Sequence, residues 1–249
     1  MRGGTILIRT VVVEDEPIFR ESLVRRIDSL GDFKVEGTAS NGIEGLIEIQ
    51  RTDPHVVFSD IRMPGMDGLV FLEQIRKDFG DLPVVFITGF QEFEYAQKAL
   101  RLGAVDLLMK PLDADELHRV VEKLRLMLAN MKSIDNQRVP PGLIAVAKEW
   151  VCANLKEASL NAAAAQVQMN PAAFSRKFHA SEGVTFIQYV SQVRMNKAKE
   201  LLANPIFKVA QVAELVGYLD QRYFTEVFKK TWGLSPQEYR KTVFGESSE

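Results

Sequence analysis

Five polar residues in the first half of the chain have side chains suited to phosphoryl chemistry: Glu14, Asp15, Asp60, Thr88 and Lys110. Crowded carboxylates repel one another unless a hard cation joins them, and Mg²⁺ prefers a few carboxylates together with waters and phosphate oxygens. A carboxylate can also act as a nucleophile, while a fixed ammonium and a hydroxyl can hold the oxygens of the group transferred to it. Gathered in one place, these five side chains would make a Mg²⁺ and phosphoryl site. Any one of them alone could be an ordinary polar residue at a strand end; five together point to chemistry.

The surrounding pattern supplies the means of gathering them. Between residues 6 and 137, short apolar runs alternate with amphipathic stretches, which predicts a parallel sheet with helices on both faces. Strands are expected at 6–13, 33–38, 56–59, 84–88 and 105–109, and helices near 17–29, 42–51, 68–77, 93–102 and 115–128. In such a sheet, ligands sit beyond the carboxyl ends of the strands, at the point where strand order reverses. Glu14 and Asp15 follow the first strand, Asp60 the third, Thr88 ends the fourth and Lys110 follows the fifth. The fold class expected is α/β, a five-stranded doubly wound parallel sheet of flavodoxin-like form.

The residues Val13-Glu14-Asp15-Glu16-Pro17, Ser59-Asp60-Ile61-Arg62-Met63-Pro64-Gly65-Met66-Asp67-Gly68, Thr88-Gly89 and Lys110-Pro111 closely resemble the receiver domain of two-component response regulators. The resemblance implies that Asp60 is the phosphoacceptor, that Glu14, Asp15, Asp60 and the carbonyl of Arg62 hold Mg²⁺, that Lys110 pairs with the phosphoryl group and that Thr88 bonds it. It also implies a cis bond before Pro111. A haloacid-dehalogenase-like phosphatase would likewise use an Asp nucleophile with Mg²⁺, but it needs a second Asp two residues later, and that position is Arg62. Where receivers carry a switch Tyr or Phe, three residues before the lysine, this chain has Leu107. Two readings of it stand: a departure that changes switching, or a strand residue packed beneath the last helix.

Leu117, Val121, Leu124, Leu128 and Met131 then recur at alternating spacings of four and three. Such a stripe suits packing on the domain's own sheet or a two-stranded coiled coil, and spacing alone does not choose. The polar stretch ending in Pro140-Pro141-Gly142 reads as a linker. The expected division is a receiver domain over 6–128, a linker over 129–142 and a further domain over 143–243.

That further domain lacks strand signals, so an all-α fold is expected. Two helix-turn-helix rhythms occur about fifty residues apart. In the first, 160–167 leads to Asn170-Pro171, an N-cap with proline at the first helical position, and then 172–179; in the second, 209–216 leads through Gly217-Tyr218 to Asp220 and then 221–232. Phe174 and Phe178, and Phe224 and Phe228, mark one face of each second helix as buried and leave the other to project, as a major groove requires. Trp150 and Cys152, on an amphipathic helix before the first unit, are expected in the core.

The text from Phe186 through Arg194-Met195-Asn196-Lys197-Ala198-Lys199-Glu200-Leu201-Leu202, Val216-Gly217-Tyr218 and Gly233-Leu234-Ser235-Pro236-Gln237-Glu238-Tyr239-Arg240 resembles the AraC/XylS-type DNA-binding domain. The resemblance implies two units joined by a long helix at about 185–203, reading two successive major-groove faces. Its groove-facing positions are Ala172, Ser175, Arg176, Gln221, Arg222, Thr225 and Glu226. Arginine can bond guanine through two atoms, glutamine can do so for adenine, and alanine can only touch a thymine methyl. Glu226 departs from the arginine common there; it could accept from cytosine N4 or point at a neighbouring side chain. Together the two resemblances describe a YesN-like response regulator, a transcription regulator rather than a metabolic enzyme. Its implied cofactor is Mg²⁺ and its implied partners are DNA, a sensor histidine kinase, RNA polymerase and, on phosphorylation, a second copy of the chain. A regulator with a vestigial receiver, binding DNA without phosphorylation, is the alternative.

Composition agrees and excludes other classes. Of 249 residues, 46% are hydrophobic and 26% charged, ordinary globular values that disfavour disorder. The single cysteine cannot form an intrachain disulfide, no signal-peptide pattern opens the chain and no run of about 18 apolar residues occurs, so a cytoplasmic location is expected. The net charge of −2 conceals a split: residues 142–249 carry 13 Lys and Arg against 10 Asp and Glu, leaving 18 against 23 for residues 1–141. A basic second half is compatible with a nucleic-acid surface.

Overall fold

The runs Val56–Asp60 and Val84–Thr88 are buried throughout, as expected of strands covered on both faces, whereas Phe33–Ala39 alternates buried with exposed residues. The computed structural model describes residues 7–89, 93–133 and 142–245, in two compact units, Met1–Asn136 and Gln137–Glu249. In the first unit the order is β1 (Ile8–Val13), α1 (Pro17–Asp28), β2 (Phe33–Ala39), α2 (Gly42–Thr52), β3 (Val56–Asp60), α3 (Gly68–Asp78), β4 (Val84–Thr88), α4 (Phe93–Arg101), β5 (Asp106–Met109) and α5 (Ala114–Ser133). The strands form one parallel sheet in the order β2-β1-β3-β4-β5. The order reverses between β1 and β3, so a crevice opens where Glu14 and Asp60 emerge.

Alternation along the strands divides the core between the two faces. Val12, Phe58, Val85, Ile87 and Leu108 join Leu23 and Ile27 of α1 and Leu117, Val120, Val121 and Leu124 of α5 in one cluster. On the other face a Cβ added to Gly45 of α2 would lie 2.9 Å from Val13 Cγ2 and 3.0 Å from the Phe71 ring, so α2 and α3 close tightly over the sheet there. The α5 stripe therefore packs on its own sheet through Leu124, with Leu128 half-buried against the same cluster; the side chain of Met131 lies outside the described residues. Helix α5 continues five residues past its expected end at 128, into the stretch expected as linker, of which residues 134–141 lie outside the described residues. Leu108, not Leu107, packs beneath α5. Period-two alternation turns Leu107 to the other side of β5, which corrects the reading of it as a residue under the last helix.

The second unit is helical: α6 (Leu143–Ala153), α7 (Leu160–Gln166), α8 (Pro171–Glu182), α9 (Phe186–Leu202), α10 (Val209–Leu215), α11 (Gln221–Trp232) and α12 (Pro236–Phe244). Its starts follow from side-chain caps. Ser159 accepts from Ala162 N, Thr185 and Gln188 form a capping box, Asp220 accepts from Tyr223 N, and Ser235 and Glu238 form a second capping box. Phe174, Phe178 and Phe186 meet with ring centroids 5.1–5.8 Å apart, while Tyr218, Phe224, Phe228 and Tyr239 chain together at 5.5–5.9 Å. Each helix-turn-helix thus has an aromatic core of its own. Trp150 is half-buried against the first of these cores. Cys152 corrects expectation: it is exposed, because the inward stripe of α6 runs through Ala147 and Val151 and leaves the next position facing outward.

Candidate functional site

The loop after β3 is built to hold Asp60 still. Ile61, Met63 and Met66 are buried, so the loop is anchored by its own apolar side chains. Gly65 has φ +82°, a conformation that favours glycine. Asp67 caps α3 by accepting from Leu69 N and Val70 N, both at 3.0 Å. Gly68 N donates to Ile61 O at 2.7 Å, and a Cβ on Gly68 would lie 2.8 Å from Ile61 Cα. The Met-Pro-Gly-Met-Asp-Gly run is thus a clasp that fixes the strand end on which Asp60 stands.

Around Asp60 the charges are close and mostly buried. Lys110 Nζ donates to Asp60 Oδ2 at 2.6 Å and to Glu14 Oε2 and Oε1 at 2.9 and 3.1 Å. Asp60 Oδ1 accepts from Arg62 N at 3.1 Å. Glu14 is 1% exposed and Asp60 6%, whereas Asp15 is exposed. Burial, with the charge of Asp60 adding to it and Lys110 opposing it, pushes the Glu14 carboxyl up to about 7. Burial also works against the Lys110 ammonium, yet its hydrogen bonds to Asp60 and Glu14 hold its pKa above the usual lysine range. The oxygens of Glu14, Asp15 and Asp60 lie within 4.8 Å of one another. Three hard oxygen donors at that separation, in a pocket whose negative charge Lys110 only partly offsets, fit a Mg²⁺ ion.

Thr88 ends β4, buried at 1%, one position beyond the Asp60–Ile87 pairing of β3 with β4. Its Oγ1 lies 3.4 Å from Gly89 O, and its carbonyl accepts from Lys110 N at 2.8 Å. The Lys110–Pro111 bond is cis. Strand ends thus carry Glu14, Asp15, Asp60, Thr88 and Lys110 to one edge of the sheet. Two aromatic side chains border them. Phe19, on the first turn of α1, lies under Lys110 Nζ at 4.4 Å from its ring centroid, and Tyr95 of α4 lies 5.1 Å from the Arg62 guanidinium carbon. The aromatic character of Phe19, three residues after Glu16, was the available hint; nothing in the spacing linked Tyr95 to Arg62.

In the second unit, α8 and α11 bury their phenylalanines completely and turn other residues outward. Arg176, Gln221, Arg222 and Glu226 are exposed, and Ser175 and Thr225 are half-buried. The side chain of Ala172 lies outside the described residues. Thr225 Oγ1 donates to Gln221 O at 2.9 Å, within its own helix. Helix α8 begins where Asn170 Oδ1 accepts from Ala173 N at 3.4 Å and Pro171 takes the first helical position. A buried cation interrupts the apolar face of α9: Arg194, 2% exposed, stands among the inward positions Val190, Met195 and Ala198.

Comparison with known proteins gives two family matches. The response regulator receiver domain matches residues 10–122 and a helix-turn-helix domain matches residues 163–242. The transcriptional regulatory protein HptR of Staphylococcus aureus is 26% identical over 253 residues, covering 94% of this chain and 99% of its own length. A response regulatory protein of Staphylococcus epidermidis is 27% identical over 251 residues, with the same coverage of 94% and 99%. Among solved structures, the REC domain of AraT, a response regulator from Geobacillus stearothermophilus, is 34% identical; the match covers 51% of this chain and 99% of that one, with a TM-score of 0.48.

Proposed function

The chain belongs to the response regulators, with a receiver domain followed by an AraC-type helix-turn-helix domain, and is a transcription regulator; on that premise we propose that a sensor histidine kinase phosphorylates Asp60 and that this sets how tightly the helix-turn-helix domain binds a specific DNA sequence. The observation that carries the proposal is the double hold of Lys110 on Asp60, at 2.6 Å, and on Glu14, at 2.9 Å. An ammonium fixed beside a carboxylate nucleophile lies where an oxygen of the incoming phosphoryl group would come to rest.

In the reaction, an Asp60 oxygen forms a bond to phosphorus as the bond from phosphorus to the donor nitrogen breaks, and the electron pair leaves with the donor imidazole. Lys110 then exchanges its bond to Asp60 for one to a phosphoryl oxygen, and the Thr88 hydroxyl donates to another. Mg²⁺ bound by Glu14, Asp15, Asp60 and the Arg62 carbonyl would neutralise phosphoryl charge. Most of the acceleration would then come from positioning and electrostatics, which suits a site whose residues sit on strand ends.

In the helix-turn-helix domain, Arg176 and Gln221 are the residues proposed to read bases, with Ala172, Ser175, Arg222, Thr225 and Glu226 beside them. Lys229 and Lys230, both exposed on the last turn of α11, suit phosphate oxygens. A homodimer formed on phosphorylation is part of the proposal; Leu117, Val121 and Leu124 of the α5 stripe are already occupied by their own sheet. A cytoplasmic location belongs to the same proposal; among the described residues no helix is long and apolar enough to cross a membrane.

The test is labelling of the full chain with a small phosphodonor in the presence of Mg²⁺. Labelling that disappears in Asp60→Ala and on chelation of Mg²⁺ is the expected result. Labelling that survives either change would move the phosphoacceptor elsewhere, and no labelling of the unaltered chain would favour the vestigial receiver.

A further inference from the structure

Arg194 lies midway along α9, the helix that joins the two helix-turn-helix units, and its guanidinium is buried. Its Nη2 donates to Ala158 O at 2.8 Å and its Nε to Leu155 O at 3.3 Å. Both carbonyls belong to the turn between α6 and α7, which leads directly into α7, the first helix of the first unit. The same guanidinium lies 5.6 Å from the centroid of the Tyr218 ring, in the turn between α10 and α11 of the second unit. A buried charge is costly unless it is well hydrogen-bonded, so a guanidinium in this position holds its partners in a narrow range of geometries.

Gly217 completes the arrangement. It has φ +95°, and a Cβ there would lie 2.9 Å from Leu155 O and 3.0 Å from both Lys156 O and Arg194 Nη2. The turn of the second unit is therefore pressed backbone to backbone against the turn of the first. At the surface of the same contact Lys156 Nζ donates to Glu214 Oε1 of α10 at 2.8 Å. Three interactions of different kinds thus bind one turn of each unit to the other.

We infer that Arg194 is a positioning residue for DNA recognition: with Gly217 and Lys156 it locks the two helix-turn-helix units at one relative orientation, so that α8 and α11 meet their half-motifs only at one spacing. The inference rests on the proposal that both helices read DNA. Linked binding modules gain affinity only when geometry lets them engage together, so a rigid link converts spacing into specificity. A loosened link would let the second unit bind at several spacings, with less gain at the best one. Arg194 touches no base in this account; it acts through the turns it joins.

The experiment compares the full chain with Arg194→Met, which keeps an unbranched apolar stem and removes the donors. Spin labels on Cys152→Ser chains carrying Ala180→Cys and Lys229→Cys, both exposed sites on α8 and α11, report the distance between the helices without DNA. A narrow distribution that broadens in a cooperatively folded Arg194→Met is the expected result. With DNA selected by the native chain, moving the half-motifs apart by one or two base pairs should weaken native binding by about tenfold or more, and Arg194→Met by less than about threefold. Affinity for an isolated first half-motif should stay unchanged, which a generally damaged domain would not show. An equally narrow distribution and an undiminished spacing penalty in a folded Arg194→Met would overturn the inference. If Arg194→Met does not fold, Lys156→Ala at the surface of the contact decides: a broadened distribution supports the lock and an unchanged one overturns it. Failure of the native chain to select any sequence would sink the DNA-reading proposal, while the distance distributions would still judge the lock.

Discussion

The pocket at the carboxyl edge of the sheet and the outward faces of α8 and α11 do their work under opposite physical conditions. In the pocket Glu14, Asp60 and Lys110 are buried or half-buried and already bonded to one another, so Lys110 holds both carboxylates before any partner arrives. On the helices Arg176, Gln221, Arg222 and Glu226 are exposed, and the order lies behind them, in the phenylalanines that fix the helix rather than the side chain. A chemical step needs its charges preorganised within fractions of an ångström. A reading surface needs side chains that can still choose among bases. Substitutions in the pocket should therefore act all or none, and those on the faces by degrees.

The largest expected effect breaks the pocket without touching the helices. Asp60→Ala should remove all phosphoryl labelling while leaving unphosphorylated DNA affinity at its basal value; loss of both would mean that the two regions are not separable. Phe224→Ala reverses the test. Removing a fully buried ring should cost the second unit about 3–5 kcal/mol, seen in urea unfolding, while labelling of Asp60 continues at its normal rate. If labelling fell with it, the receiver would depend on the helical unit for its fold.

A smaller effect sharpens the contrast on the reading surface. Arg176→Ala should weaken specific binding by about 1–3 kcal/mol and relax preference at one base pair, whereas Lys230→Ala should weaken all sequences alike. Equal losses for specific and random DNA in Arg176→Ala would remove it from the set of base readers. The smallest effect concerns a pair with no part in either task. Arg125 of α5 grips Asp32 through two hydrogen bonds of 2.6 and 2.7 Å, and that hydrogen bonding, against a smaller burial effect, holds the Asp32 carboxyl below its usual range. A lowered carboxyl pKa stabilises the fold above the unfolded value near 4 and loses that contribution as pH falls through the folded value. Asp32→Asn should therefore cost about 1 kcal/mol at pH 7 and almost nothing near pH 2, measured by denaturant unfolding at the two pH values. A difference that persists at pH 2 would mean that packing, not charge, is responsible.

The same contrast explains what could be read from the residues alone. Strand alternation and β-branched runs carried the sheet: the strand expected at 84–88 is β4 as observed, and the others differ by one or two residues at their ends among those described. The convergence of Glu14, Asp60 and Lys110 was legible because a parallel sheet delivers successive strand ends to one edge. Three features were not. The exposure of Cys152 turns on one step around a short helix, where an apolar stretch leaves the inward face ambiguous. The five extra residues of α5, 129–133, lie where the sequence turns polar and the apolar stripe is reduced to Met131. Arg194 broke the pattern by being a cation on an inward face, and its carbonyl partners lie 36 and 39 residues away, beyond the reach of any local rule.

The central claim, that phosphorylation in one region sets DNA binding by the other, is tested most directly by one titration. The DNA sequence selected by the full chain is titrated with unphosphorylated protein, with protein after treatment with phosphodonor and Mg²⁺, and with Asp60→Ala treated in the same way. The account predicts tighter binding after treatment of the native chain and no change in Asp60→Ala. Identical affinity for the native chain before and after complete phosphorylation, or an equal gain in Asp60→Ala, would contradict it.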